Sequence, residues 1–106
     1  MTGAIVVQTT TTTADAAERL AEALVAERLA ACVQIAPIRS RYVWKGEVQR
    51  EDEQLLLIKT RETLFEAVRA RIRALHGYET PEIIATPVTA GDPDYLAWLA
   101  EVTTRG

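Results

Sequence analysis

The dipeptide Lys45-Gly46 stands between two long stretches of extended character, and this constrains the fold more than any other feature. Before it, Ile38, Ser40, Tyr42 and Trp44 alternate with Arg39, Arg41, Val43 and Lys45. After it, a strand starting near Glu47 crosses the acidic cluster Glu51-Asp52-Glu53 and enters the apolar run Leu55-Leu56-Leu57-Ile58. A two-residue connection in which glycine supplies positive φ joins antiparallel strands directly. Unbulged pairing about that turn sets Val43 opposite Val48, Arg39 opposite Asp52 and Cys32 opposite Lys59. It also sets Arg41 opposite Arg50, an unfavourable like-charge pair. Pro37 cannot donate to a strand ladder, so it marks an edge, a bulge or a break, and a bulge there or at the acidic cluster would shift the register.

The flanking segments complete a recognisable order. "AIVVQTT" (Ala4 to Thr10) is short, apolar and β-branched, as a strand covered on both faces should be. Thr12 stands three residues before Asp15 in capping-box spacing, and Ala17, Leu20, Ala21 and Leu24 recur at helical intervals, predicting a helix near residues 14 to 28. Phe65, Val68, Ile72 and Leu75 form the apolar stripe of a second helix near 62 to 75, with Gly77 at the expected C-cap. "EIIATPV" reads as a fourth strand, and Asp92 followed by Pro93 starts a short third helix. The expectation is one α+β domain over residues 1–106, a ferredoxin-like split βαβ arrangement (βαββαβ plus a C-terminal helix) in which an antiparallel sheet carries two helices on one face.

A domain of this size spans roughly 35 Å, whereas strand arms of about 14 residues reach some 45 Å. The hairpin therefore outgrows its own body, and Tyr42, Val43, Trp44 and Val48 are left with little to pack against. Exposed apolar and aromatic surface of this kind marks an interface, so the expectation is a homo-oligomer in which each hairpin extends a neighbour's sheet. The alternative is a hairpin that bends at Pro37 and folds back over its own sheet.

Net charge −3 and a pI near 5.2 argue against a nucleic-acid partner. The strand order is shared with RNA-recognition domains, but the first and third strands lack the aromatics those domains use for base stacking. No apolar run reaches the roughly 18 residues of a membrane span, and no export signal precedes the first strand, so the expected location is cytoplasmic. No glycine-rich phosphate loop, zinc-binding helix pair or catalytic triad points to an enzyme.

Taken together, "LVAERLAACVQI", "RSRYVWKGEV", "LLLIKT", "LHGYETPEIIATPV" and "YLAWL" resemble the CutA divalent-cation tolerance proteins in order and spacing over nearly the whole chain. The resemblance implies a ferredoxin-like protomer, a homotrimer built through the long hairpins, a cytoplasmic setting and a role in heavy-metal tolerance, with copper the metal usually named. It also implies a likeness to PII-type signalling trimers, with clefts between subunits able to take a small molecule. Some members carry additional cysteines proposed as copper ligands, whereas this chain has Cys32 alone, which excludes chelation by several thiolates of one protomer.

The candidate ligands for copper or another divalent cation are Cys32 and His76, the only thiol and imidazole in the chain. Cys32 also suits a small buried strand residue, and His76 suits a helix C-terminus. Lys59, Tyr78 and Glu79 are the candidate contacts for a small-molecule ligand. Lys59 alternatively serves as a solvated strand-end residue. Tyr42 and Trp44 are expected at an oligomer contact, and Tyr95 and Trp98 against a neighbour or the sheet.

Overall fold

The structure is a computed structural model that describes residues 2–104. Strands β1 (Ala4–Thr11), β2 (Cys32–Trp44), β3 (Glu47–Arg61) and β4 (Ile84–Pro87) form one antiparallel sheet in the order β2-β3-β1-β4. Helices α1 (Ala14–Ala26) and α2 (Phe65–Leu75), the latter entered through a 3-10 turn at Glu62–Leu64, are the two crossovers, and α3 (Pro93–Val102) follows β4. This is the expected α+β, ferredoxin-like order.

Strand parity explains where the core lies. Ile5, Val7, Leu56 and Ile58 point to the face covered by Ala17, Leu20 and Leu24 of α1 and by Val68 and Ile72 of α2. Ala4 and Arg61 have the opposite parity and meet α3 on the other face, where the Arg61 guanidinium donates to Thr103 Oγ1 at 2.9 Å and to the Thr103 carbonyl at 2.8 Å. Thr9 has core parity too and is fully buried, yet its hydroxyl has no hydrogen-bond partner among the described residues.

Helix ends differ in detail from the sequence expectations. Thr13, not Thr12, caps α1 by accepting from the Ala16 N–H at 3.1 Å, because Thr12 is turned towards Tyr78. Helix α1 stops at Ala26, and its end is closed by Arg28 in the left-handed region (φ 59°), which lets the Leu29 N–H reach the Leu24 carbonyl at 2.9 Å. This bond and the Arg28 N–H to Val25 carbonyl bond form a Schellman end, with the buried Leu24 and Leu29 as its apolar contact. In α2 the cap residue is His76 in extended conformation rather than Gly77, and Leu75 is 47% exposed instead of joining the buried stripe. Asp92 caps α3 as expected, accepting from the Asp94 and Tyr95 N–H groups with Pro93 in the first turn.

The hairpin has no bulge. Pairing runs unbroken from Cys32 opposite Lys59 to Trp44 opposite Glu47, with Pro37 opposite Gln54 and Arg41 opposite Arg50. Proline is tolerated because β2 is an edge strand, whose outward backbone groups need no ladder partner. Lys45 (φ 51°) and Gly46 (φ 80°) form the turn, both in the left-handed region required by a type I′ connection. Strand β1 ends at Thr11 opposite Gln54, so the ribbon from Ile38 and Glu53 outward has no third strand. It projects by about 20 Å at roughly 3.4 Å per residue. The molecule is accordingly elongated, 44 × 25 × 22 Å, with Val43 69% and Val48 71% exposed as an unsheltered cross-strand pair. The hairpin does not fold back at Pro37.

Candidate functional site

The segment after α2 lies against the base of the ribbon, and its placement starts with His76. Its Nε2 is within hydrogen-bond distance of the Thr10 carbonyl, which can only accept, so Nε2 carries the proton. The free lone pair on Nδ1 accepts the Tyr78 backbone N–H at 3.0 Å. Both ring nitrogens are thus engaged in one neutral tautomer, and the imidazole packs on the Tyr78 ring with centroids 4.6 Å apart.

Tyr78 is in turn aimed at the ribbon. Its hydroxyl donates to Glu53 Oε2 at 2.7 Å and accepts from Thr12 Oγ1 at 2.9 Å. Burial, with the adjacent Glu53 and Glu51 charges, pushes the phenol up to about 12 against a partial offset from the Thr12 bond. Tyr78 is therefore a neutral donor throughout the physiological range. The carboxylate it contacts is 6% exposed, an unusual degree of burial for a glutamate on a two-stranded ribbon.

Between ribbon and loop lies an open groove of about 710 Å³, within the size range of small-molecule sites. Tyr42, Trp44, Glu51 and Glu53 reach it from the ribbon, and Tyr78, Glu79 and Glu82 from the loop. Strand alternation sorts the ribbon's charges. Glu47, Glu51 and Glu53 share a face with Tyr42 and Trp44, whereas Arg39, Arg41 and Arg50 stand on the other with Asp52. At the tip, Lys45 Nζ lies 5.6 Å from the centre of the Trp44 ring and 3.9 Å from Glu79 Oε2.

The sequence candidates divide into two groups. Tyr78 and Glu79 line the groove, whereas His76 packs against the Tyr78 ring without lining it. Cys32 and Lys59 are cross-strand neighbours elsewhere, with Lys59 also opposite Val6 of β1. Val6 and Thr10 are four residues apart on β1, so the Cys32 and His76 positions are separated by about 13 Å along the strand direction. One metal ion cannot bridge them within a subunit. Among the described residues, no three His, Cys, Asp or Glu side chains converge as a metal cluster would require. Sequence reasoning missed Glu53, Thr12 and Lys45 as members of the site. The signal for Glu53 was available, since the hairpin register puts Glu51 and Glu53 on the face of Tyr42 and Trp44.

The comparisons with known proteins bear on this geometry. Residues 5–102 match the family model described as CutA1 divalent ion tolerance protein. The chain belongs to this family. The divalent-cation tolerance protein CutA of Thermus thermophilus is 48% identical over 99 residues, covering 92% of this chain and 96% of that protein. The chloroplastic protein CutA of Arabidopsis thaliana is 47% identical over 100 residues, covering 93% of this chain but 55% of that protein, so this chain spans about half the plant relative's length. The solved Thermus thermophilus protein superposes with a TM-score of 0.93 at 46% identity, covering 95% of this chain and 99% of that one. The protein from Archaeoglobus fulgidus, described as a periplasmic divalent cation tolerance protein CutA, gives 0.94 at 36% identity, with coverage of 95% and 99%. In this chain the CutA1 fold carries a protruding ribbon with a groove at its base.

Proposed function

We propose that this CutA1 chain is a cytoplasmic homotrimer in divalent-cation tolerance, with copper the metal concerned, and that it acts by binding a metal ion or small ligand rather than by catalysis. The single observation supporting assembly is the unsheltered ribbon. Tyr42, Val43, Trp44 and Val48 are 38%, 69%, 37% and 71% exposed on a segment with no third strand. Burying such surface against copies of itself is the simplest gain open to the chain. Native mass spectrometry at micromolar protein tests the trimer, and a monomer mass overturns it.

Within one subunit the copper reading does not fit a preformed chelate. Cys32 and His76 are apart, and both His76 nitrogens already have partners. Direct metal binding at either residue draws its remaining ligands from another subunit, and at His76 it also requires the bond to Tyr78 to break. A second reading is favoured by the groove itself: a PII-like signalling trimer that takes a small molecule near Tyr78 and Glu79, with Lys59 as a further contact where subunits meet, and no directly bound metal. Calorimetry of metal-free protein with Cu(I), Cu(II), zinc and nucleotides separates the two. Stoichiometric metal uptake lost in Cys32→Ser or His76→Gln supports the first, and nucleotide uptake without metal uptake supports the second.

A further inference from the structure

We infer that the arginine-bearing face of the ribbon, at Arg39, Arg41 and Arg50, binds a small phosphate-bearing anion such as a pyrophosphate or a phosphate ester. The site is separate from the groove at Tyr78 and needs no metal. Strand alternation puts the three arginines on the face opposite Tyr42 and Trp44, in parity with Ile35 and Leu56 further down the hairpin. An assembly that covers the Tyr42 and Trp44 face leaves this one turned outward. All three side chains are exposed, and none has a carboxylate within 4.0 Å. The ion pairs among the described residues are made by Lys45, Arg69 and Arg71 instead. Even Arg39, directly opposite Asp52, forms no ion pair with it.

The pair Arg41 and Arg50 is the most telling feature. They are direct cross-strand neighbours in an unbroken register, with Cα atoms about 5 Å apart. Like charges placed so are destabilising, and nothing among the described residues relieves them, although the chain has fifteen acidic residues against twelve basic ones. An anion of two or three charges set between them turns the repulsion into attraction. The forked N–H groups of each guanidinium match two oxygens of a phosphate. Arg39, about 7 Å along the strand from Arg41, brings a third fork. The three arginines and Ser40 line an open cavity of about 650 Å³. Glu51 and Asp52 line it too, and Asp52 offsets Arg39, so the anion is seated between Arg41 and Arg50. A long polyanion is served less well, because beyond the arginines it meets a chain of net charge −3. A compact anion stays within the reach of the cluster.

The test is a calorimetric titration of the full-length, metal-free protein with sodium pyrophosphate at constant ionic strength, with native mass recorded on the same sample. Saturable binding is expected, weakened about tenfold by Arg41→Gln or Arg50→Gln and tightened several-fold by Asp52→Asn. Arg41→Lys keeps the charge, loses the fork and should fall between parent and Arg41→Gln. Arg73→Gln, on the exposed side of α2, should bind as the parent does; a loss there as large as at Arg41 would mean general charge attraction and overturn the site. The site is equally refuted if no saturation occurs below about 10 mM pyrophosphate, or if Arg41→Gln and Arg50→Gln bind it unchanged. Sulfate binding as tightly as pyrophosphate at the same ionic strength would also refute it. A shift of native mass from trimer to monomer in Arg41→Gln would refute it too, because the arginine would then be a contact between subunits.

Discussion

Replacing Tyr78 with phenylalanine removes one oxygen atom and two hydrogen bonds, and the structure sets the size of the effect. The bond to Glu53 is short, 2.7 Å, and ends on a carboxylate that is 6% exposed. Hydrogen bonds to charged groups contribute about 1.5 to 3 kcal/mol, and a buried acceptor left alone costs its desolvation in addition. The bond from Thr12 is exposed and neutral and adds little. Because the groove admits water to part of the site, a loss of about 2 kcal/mol per subunit is expected. Urea unfolding followed by circular dichroism, at one fixed protomer concentration, reads this as a fall in midpoint of about 1 M for an m-value near 2 kcal/mol/M. The double variant Tyr78→Phe/Glu53→Gln should be more stable than additivity of the two single losses predicts. The alkaline limb gives an independent check. Tyr78 has its folded pKa raised from 10.0 to about 12, so the folded state holds that proton more tightly than the unfolded chain. Its stabilisation is complete below pH 10 and is lost as pH rises through 12. The phenolate absorbance appearing near pH 12 should vanish in Tyr78→Phe. A midpoint change below about 0.2 M, or an unaltered alkaline titration, would refute the phenol–carboxylate clamp.

Three further outcomes follow from the packing. Thr9→Val deletes a buried, unpartnered hydroxyl at nearly constant volume and should raise stability by about 1 to 2 kcal/mol in the same urea assay; a loss would mean the hydroxyl has a partner after all. Arg28→Gly relieves a left-handed residue at the end of α1 and should stabilise by about 0.5 to 1 kcal/mol, whereas a drop would show that the Arg28 side chain outweighs its backbone strain. Val48→Asp places a charge on the exposed face of the ribbon and should shift native mass from trimer to monomer with little change in far-ultraviolet circular dichroism, and an unshifted trimer would remove this face from the interface.

The register of the long hairpin was legible because it is local: a two-residue turn fixes every pair back to Cys32 opposite Lys59, the Arg41 and Arg50 mismatch included. The suggested bulge was unnecessary, since an edge strand tolerates both Pro37 and a like-charge pair whose side chains can spread into solvent. Helix ends were less legible. Thr12 and Thr13 offer the same hydroxyl, and only the distant Tyr78 decides which of them caps α1. Gly77 looked like the α2 cap because glycine tolerates the left-handed region, but His76 ends the helix in an extended conformation by bonding the Thr10 carbonyl, a contact across 66 residues. His76, Tyr78 and Glu79 were singled out from their clustering along the chain, and of these Tyr78 and Glu79 line the groove. Glu53 was overlooked because its burial comes from Tyr78, 25 residues away, and an acidic run ordinarily reads as a solvated surface.

The outer margin of β2 has one more consequence. Along its thirteen residues this strand offers backbone donors and acceptors to any passing chain, the geometry from which amyloid-like stacks grow. Pro37 removes a donor midway, and Arg39 and Arg41 follow it with charges that repel an identical strand laid in register. Strand addition is thereby held to short runs on either side of the proline, which lets the protein expose a long ribbon to its own kind at low risk of fibre growth.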